Sequence, residues 1–165
     1  MAQASYRIGV AGSHLIVTEK LTGNDCGEDK QVRELLDGYA GAVKRVSGDG
    51  AYDSHAVFDE ITRRGAQALI PTQANLKHKR KRLEDIQRPR DEVAWLIQER
   101  GRGKWKAEGG YHRRSLVETA FYRYKQLLGS KLKARLFENQ RVEALISCHA
   151  LNKMTLLGMP ESVAL

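Results

Sequence analysis

Two carboxylates in this 165-residue chain stand where a side chain could do chemistry. Asp49 lies in Gly48-Asp49-Gly50-Ala51-Tyr52, where glycines on both sides allow a tight turn directly after the short β-forming run of residues 43–47. Glu118 lies in a helical pattern over residues 111–128. A step of about 100° per residue gathers Tyr111, Arg114, Glu118 and Lys125 within roughly a 60° arc. Leu116, Ala120, Tyr124, Leu127 and Leu128 fall on the neighbouring and opposite arc, so the helix can pack on a sheet while the stripe borders a cleft. Plainer roles fit the same residues: a solvated helix acid contacting Arg114 and Tyr122 for Glu118, and a turn aspartate for Asp49. The run Lys77-His78-Lys79-Arg80-Lys81-Arg82 can hold phosphates without sequence preference, or be a solvated loop. His112 falls off the Glu118 stripe and His149 lies in an apolar helix, so neither receives a role.

The elements that must position these groups alternate. Residues 6–10 and 14–21 are rich in β-formers and flank Ala11-Gly12-Ser13, which predicts an antiparallel hairpin. Val32, Leu35, Leu36 and Tyr39 recur at helical spacing from Gln31, with Gly38 and Gly41 at the stop. After the strand at 43–47, Asp53 or Ser54 caps a helix running to Arg64 with Val57, Phe58 and Ile61 inward, and residues 68–71 return as a strand. Residues 75–110 turn basic and Gly-containing, and read as an insertion or loop region interrupted by Val93, Trp95, Leu96 and Ile97. Helices follow over 111–128 and about 139–157, the second closed by Gly158 and Pro160. The pattern predicts one α/β domain over residues 1–165, with no internal repeat.

Composition bounds the partner. Hydrophobic residues at 41% and charged residues at 29% place the chain among folding proteins. A formal charge of +8 favours a polyanion, with nucleic acid foremost. Cys26 and Cys148 form no Cys-x-x-Cys pair, which excludes a structural zinc motif of that kind and leaves two buried thiols. The first residues carry no apolar signal core and no stretch approaches a membrane span, so a cytoplasmic protein is expected.

The spacing Tyr-x2-Arg-x3-Glu-x6-Lys, present as Tyr111, Arg114, Glu118 and Lys125, resembles the signature of DDE transposases in the four/five group of bacterial insertion sequences. That family places its second catalytic aspartate in Asp-x-Gly/Ala-Tyr/Phe at a strand end, which Asp49-Gly50-Ala51-Tyr52 matches. The likeness runs from about Tyr6 to about Pro160 and takes in Thr22-Gly23-Asn24-Asp25, residues 105–132 and Leu151-Asn152-Lys153-Met154. It implies a ribonuclease-H-like mixed sheet with flanking helices, in which three acidic residues hold two divalent cations, usually magnesium, for hydrolysis and strand transfer of DNA. Hard cations prefer carboxylate oxygens, and a metal pair both activates the attacking oxygen and neutralises charge at phosphorus. By this resemblance Asp49 and Glu118 are metal ligands. Lys125 contacts the DNA backbone near the cut, Arg114 braces terminal phosphates, and Tyr111 packs near the DNA end.

The sequence departs from the family at its start. The first catalytic aspartate belongs on a central strand upstream of the hairpin, and no residue before Tyr6 is acidic. Asp25 and Asp29 come after the hairpin, and the helical region that reads DNA ends has no counterpart. The expectation is an N-terminally truncated domain, first central strand missing, inactive without an upstream transposase segment or full-length transposase, and a possible homo-oligomer. The other reading is a catalytically dead DNA-binding remnant that competes with full-length transposase for the element's terminal repeats. Without that strand, the hairpin and the 43–47 strand are expected to separate, to pair directly, or to recruit a strand from another copy.

Overall fold

The computed structural model describes residues 5–10, 14–22, 28–72, 87–129 and 131–158. They are mixed α/β and fall into two compact units. Helix α1 (Glu28–Asp37) divides between these units after Arg33.

One unit holds the hairpin, residues 34–39 and everything described from Ser115 onward. Strands β1 (Ser5–Val10) and β2 (Ile16–Thr22) pair antiparallel from Ser5↔Thr22 to Gly9↔Thr18, then slip by one residue so that Val10 meets Ile16. Helices α5 (Ser115–Leu128) and α6 (Phe137–Leu156) pack against β1 and β2 respectively. Their buried residues explain why: Ala120 and Tyr124 recur at i,i+4, and Ala144, Cys148 and Leu151 at i,i+4,i+7. Ala120, Tyr124, Cys148 and Leu151 close on Ile16, with Val117, Phe121 and Leu128 at the margin. Leu127, which the helical pattern places on the packed side, is exposed, since the core face is narrower than the apolar arc of the sequence.

Asn152 finishes the hairpin. Its amide accepts from the Ile16 backbone N–H at 2.8 Å and donates to the Ile16 carbonyl at 2.7 Å. One side chain thus supplies the donor and acceptor that a further strand would offer at this residue.

The other unit holds the described residues of 27–33 and 40–114. Strands β3 (Arg45–Ser47) and β4 (Gln67–Leu69) pair in parallel, Val46 opposite Ala68, joined by helix α2 (His55–Arg63). Parallel pairing requires such a crossover. Ser54 caps α2 by accepting the Val57 N–H, and Val57, Phe58 and Ile61 are fully buried. Among the described residues the sheets are two separate pairs, β1 with β2 and β3 with β4.

Glu60 is buried on the same helix, its side chain 4% exposed, and three arginines meet it. Arg63 and Arg64 donate to its carboxylate at 2.8 and 2.9 Å, and Arg33 stands at 3.4 Å. These bonds, Arg63's first, hold its pKa down to about 2 against the opposing effect of burial.

Where an insertion or loop region is expected at 75–110, residues 89–109 are helical. Helix α3 (Pro89–Arg100) starts with Pro89 in its first turn, and Asp91 and Glu92 there complement the helix dipole. Gly101, at φ 80°, ends it and opens α4 (Arg102–Gly109), which buries Trp105. The basic composition masked these helices because their exposed faces carry the charge. Residues 73–86 lie outside the described residues.

The single helix expected over 111–128 is also revised. Gly110 takes a left-handed turn at φ 70°, Tyr111–Arg114 form a tight 3-10 turn, and α5 begins at Ser115. Tyr111 and Arg114 therefore belong to one unit, and Glu118 and Lys125 to the other.

Two stability measurements follow. Asn152→Ala leaves the Ile16 N–H and C=O unpaired and should cost about 2 kcal/mol in urea unfolding, with faster amide exchange at Ile16. Undiminished protection of Ile16 in that variant would show that the amide contributes little. Glu60→Gln should cost on the order of 2 kcal/mol at neutral pH, discounted because Arg33 and Arg63 are largely exposed. Because the folded pKa is depressed, the wild-type advantage is complete above about pH 4.5 and disappears as pH falls towards about 2. A variant difference that stays constant over that range would contradict this assignment.

Candidate functional site

Asp49 follows the end of β3 by two residues and caps the 3-10 turn Gly50–Tyr52. Its Oδ1 accepts the Ala51 N–H at 3.1 Å, so it does the work of a turn aspartate. Its side chain is nonetheless 53% exposed, and Oδ2 faces the Arg114 guanidinium at 3.9 Å. The strand is prolonged to this point by the Gly48 N–H, which donates to the Leu69 carbonyl at 3.3 Å.

Tyr111 reaches the same place from the far side of α4. Its hydroxyl donates to the Gly48 carbonyl at 3.1 Å, next to Asp49. The Arg114 guanidinium carbon stands 5.8 Å from the Tyr111 ring centre, the Lys106 ammonium 4.8 Å, and the Trp105 ring 6.3 Å at a tilt of 43°. The turn is delivered there by Arg45, which donates to Gln67 at 3.2 Å and to the Gly109 carbonyl at 2.8 Å, clamping the end of α4 to the sheet. At Gly109 a Cβ would come within 2.6 Å of the Leu69 side chain, so a larger residue would force Leu69 aside.

Of the two expected caps, Asp53 and Ser54, it is Ser54 that caps α2; Asp53 takes another role. Its carboxylate is wholly buried and binds Arg90 at both ends, at 2.8 and 3.1 Å. This bidentate pair ties the turn after Asp49 to the first turn of α3. His55 stands 3.7 Å from Asp91, beside it. Arg102 adds a hydrogen bond to the Thr72 carbonyl. No sequence periodicity points to Asp53 and Arg90, which lie in two different elements; the only hint is the adjacency of Asp53 to the Asp49 motif.

Glu118 and Lys125 lie in the other unit, exposed on α5. Seven residues apart, they share one helix face with the exposed Tyr122, roughly opposite the packed Ala120 and Tyr124. His149 is exposed on α6 and His112 in the 3-10 turn, and Cys148 is a buried free thiol. Cys26, Asp25 and the run Lys77, Lys79, Arg80, Lys81 and Arg82 lie outside the described residues. Asp29 is in the first turn of α1.

The donors suit a hard divalent cation in type but not in number. Among the described residues no group of three or more His, Cys, Asp or Glu stands together as a metal site. In the Asp49 unit the adjacent carboxylate, Asp53, is committed to Arg90. A metal pair does not fit this donor set by itself. Asp49, Lys106, Arg114, Tyr111 and Trp105 instead compose an exposed acid beside two cations and two aromatic rings, a setting that suits an extended anion.

Residues 8–153 match the Transposase DDE domain family, and the chain belongs to that family. Its role is therefore in DNA transposition. No solved structure matches the chain. No described helix is long and apolar enough to cross a membrane.

The buried pair can be weighed directly. Asp53→Ala and Arg90→Ala should each cost about 3 kcal/mol in urea unfolding, because each strands a buried partner. The double variant should fall well short of the sum. Additive losses would show that the two charges act independently.

Proposed function

We propose that this chain belongs to the catalytic domain of a four/five-group insertion-sequence transposase with a ribonuclease-H-like fold. Asp49 and Glu118 are two of the three carboxylates that hold its divalent metals, magnesium by resemblance. Such metals supply an activated oxygen nucleophile and charge neutralisation at phosphorus. Tyr111 and Arg114 hold the end of the element's terminal repeat, Lys125 contacts the backbone near the cut, and Lys77, Lys79, Arg80, Lys81 and Arg82 add phosphate contacts without sequence preference.

The observation that carries this reading is the meeting of the two motifs. Asp49 from one, and Tyr111 and Arg114 from the other, come together around the Gly48 carbonyl and the Asp49 carboxylate. The exposed Glu118–Lys125 face of α5 is compatible with a ligand there. The third carboxylate, which no group among the described residues supplies, and the reading of DNA ends come from a second transposase chain. Val142, Leu145 and Ile146, exposed on α6, support self-association, and the cell compartment proposed is the cytoplasm.

A second reading, a DNA-binding remnant that competes for terminal repeats, is supported by the lack of a three-carboxylate cluster among the described residues. One experiment separates them. The purified chain is mixed with terminal-repeat DNA and magnesium, with and without a second, separately expressed transposase segment. The chain alone should not nick DNA, and the mixture should. Asp49→Ala and Glu118→Ala should each remove that activity by at least about a hundredfold, as loss of a group needed only in the transition state does. DNA binding without cleavage in any mixture favours the competitor. Magnesium-dependent cleavage by the chain alone, lost in Glu118→Ala, would overturn the proposal that the metal site is incomplete.

A further inference from the structure

Lys106 belongs to no motif that the resemblance brings, yet its placement resembles that of Arg114. It lies in the last turn of α4, where a cation is favoured by the helix dipole. Its ammonium stands 4.8 Å from the centre of the Tyr111 ring, within the range of a cation–π contact. The Arg114 guanidinium contacts the same ring at 5.8 Å. The ring cannot swing, because its hydroxyl is bonded to the Gly48 carbonyl and Trp105, buried, stands beside it.

We infer that Lys106 is a DNA-phosphate contact beside Asp49, and that Tyr111 acts through it as a positioning residue whose ring holds the lysine ready. The inference deepens the proposed function and rests on its assignment of DNA to this site. Three features support it. Among the described residues Lys106 has no carboxylate partner, whereas Lys104, on the same helix, is engaged by Glu108 at 3.9 Å. A lysine already ordered against a ring loses less rotamer freedom when it meets a phosphate. The ammonium keeps its N–H donors, since a ring face satisfies its charge without accepting its hydrogen bonds in full.

The test is fluorescence anisotropy of the full chain with a short labelled DNA duplex over a series of salt concentrations. Each phosphate contact contributes about 0.9 to the slope of log affinity against log salt. Lys106→Gln should weaken binding at every salt concentration and make the slope shallower by about that amount, on DNA of any sequence. Lys106→Arg should restore the slope, and Lys104→Gln should leave it unchanged. Tyr111→Phe keeps the ring and loses the hydrogen bond to Gly48; whatever affinity it loses, adding Lys106→Gln in that background should still make the slope shallower by about 0.9. Tyr111→Leu should behave as Lys106→Gln does. Should Tyr111→Leu fail to fold by circular dichroism, the Lys106 variants and Tyr111→Phe still decide the matter. Equal slopes for Lys106→Gln and Lys104→Gln would overturn the lysine's role, and a normal slope in folded Tyr111→Leu would overturn the tyrosine's. Salt-independent binding by the wild-type chain would instead sink the assignment of phosphates to the site, leaving a failure of the proposed function distinct from a failure of this inference.

Discussion

The hydrogen bond from the Tyr111 hydroxyl to the Gly48 carbonyl joins the turn after β3 to the turn after α4. Gly48 ends a strand pair only three residues long, which by itself would leave the following turn loose. That turn is held from three directions. Leu69 receives the Gly48 N–H, Arg90 grips Asp53 beyond the turn, and Tyr111 closes over Gly48. Asp49 sits inside this frame with its own carboxylate still half exposed. A surface carboxylate on a free loop would lose that orientation, and the buried Asp53–Arg90 pair has little reason to exist for stability alone, since buried ion pairs repay their desolvation poorly.

Much of the fold was legible in the sequence for simple reasons. The hairpin, α2 and α6 are set by local patterns: runs of β-formers on either side of Ala11-Gly12-Ser13, and buried positions at 57, 58 and 61 in α2 and at 144, 148 and 151 in α6. In the two helices at 89–109 charge on the exposed faces dilutes the apolar signal, so that the sequence shows only the Val93, Trp95, Leu96 and Ile97 segment within a region that reads as an insertion or loop. Periodicity could not separate Tyr111 and Arg114 from α5, because a left-handed glycine followed by a 3-10 turn leaves the apparent spacing intact over so few residues.

The site was legible in part. Motif spacing pointed to Asp49, Tyr111 and Arg114, which the fold gathers; it also pointed to Glu118 and Lys125, which share a helix face. The Asp53–Arg90 pairing, Arg45 and Lys106 carry no sequence signal because each acts across elements. Arg45, for example, reaches 64 residues along the chain to Gly109. Pairings of this range depend on how helices settle on strands, and nothing local announces them.

The pairing of Asn152 with Ile16 spans 136 residues. The unit built on the hairpin brackets the other in the sequence, so a ribosome delivers the β3–α2–β4 crossover and α3 and α4 whole before Asn152 leaves the exit tunnel. For that interval the hairpin has emerged while the Ile16 amide and carbonyl still await their partner. Newborn strands with open backbone groups are prone to join other chains. The fate of this protein during synthesis, more than its final stability, then hangs on how soon its last helix arrives.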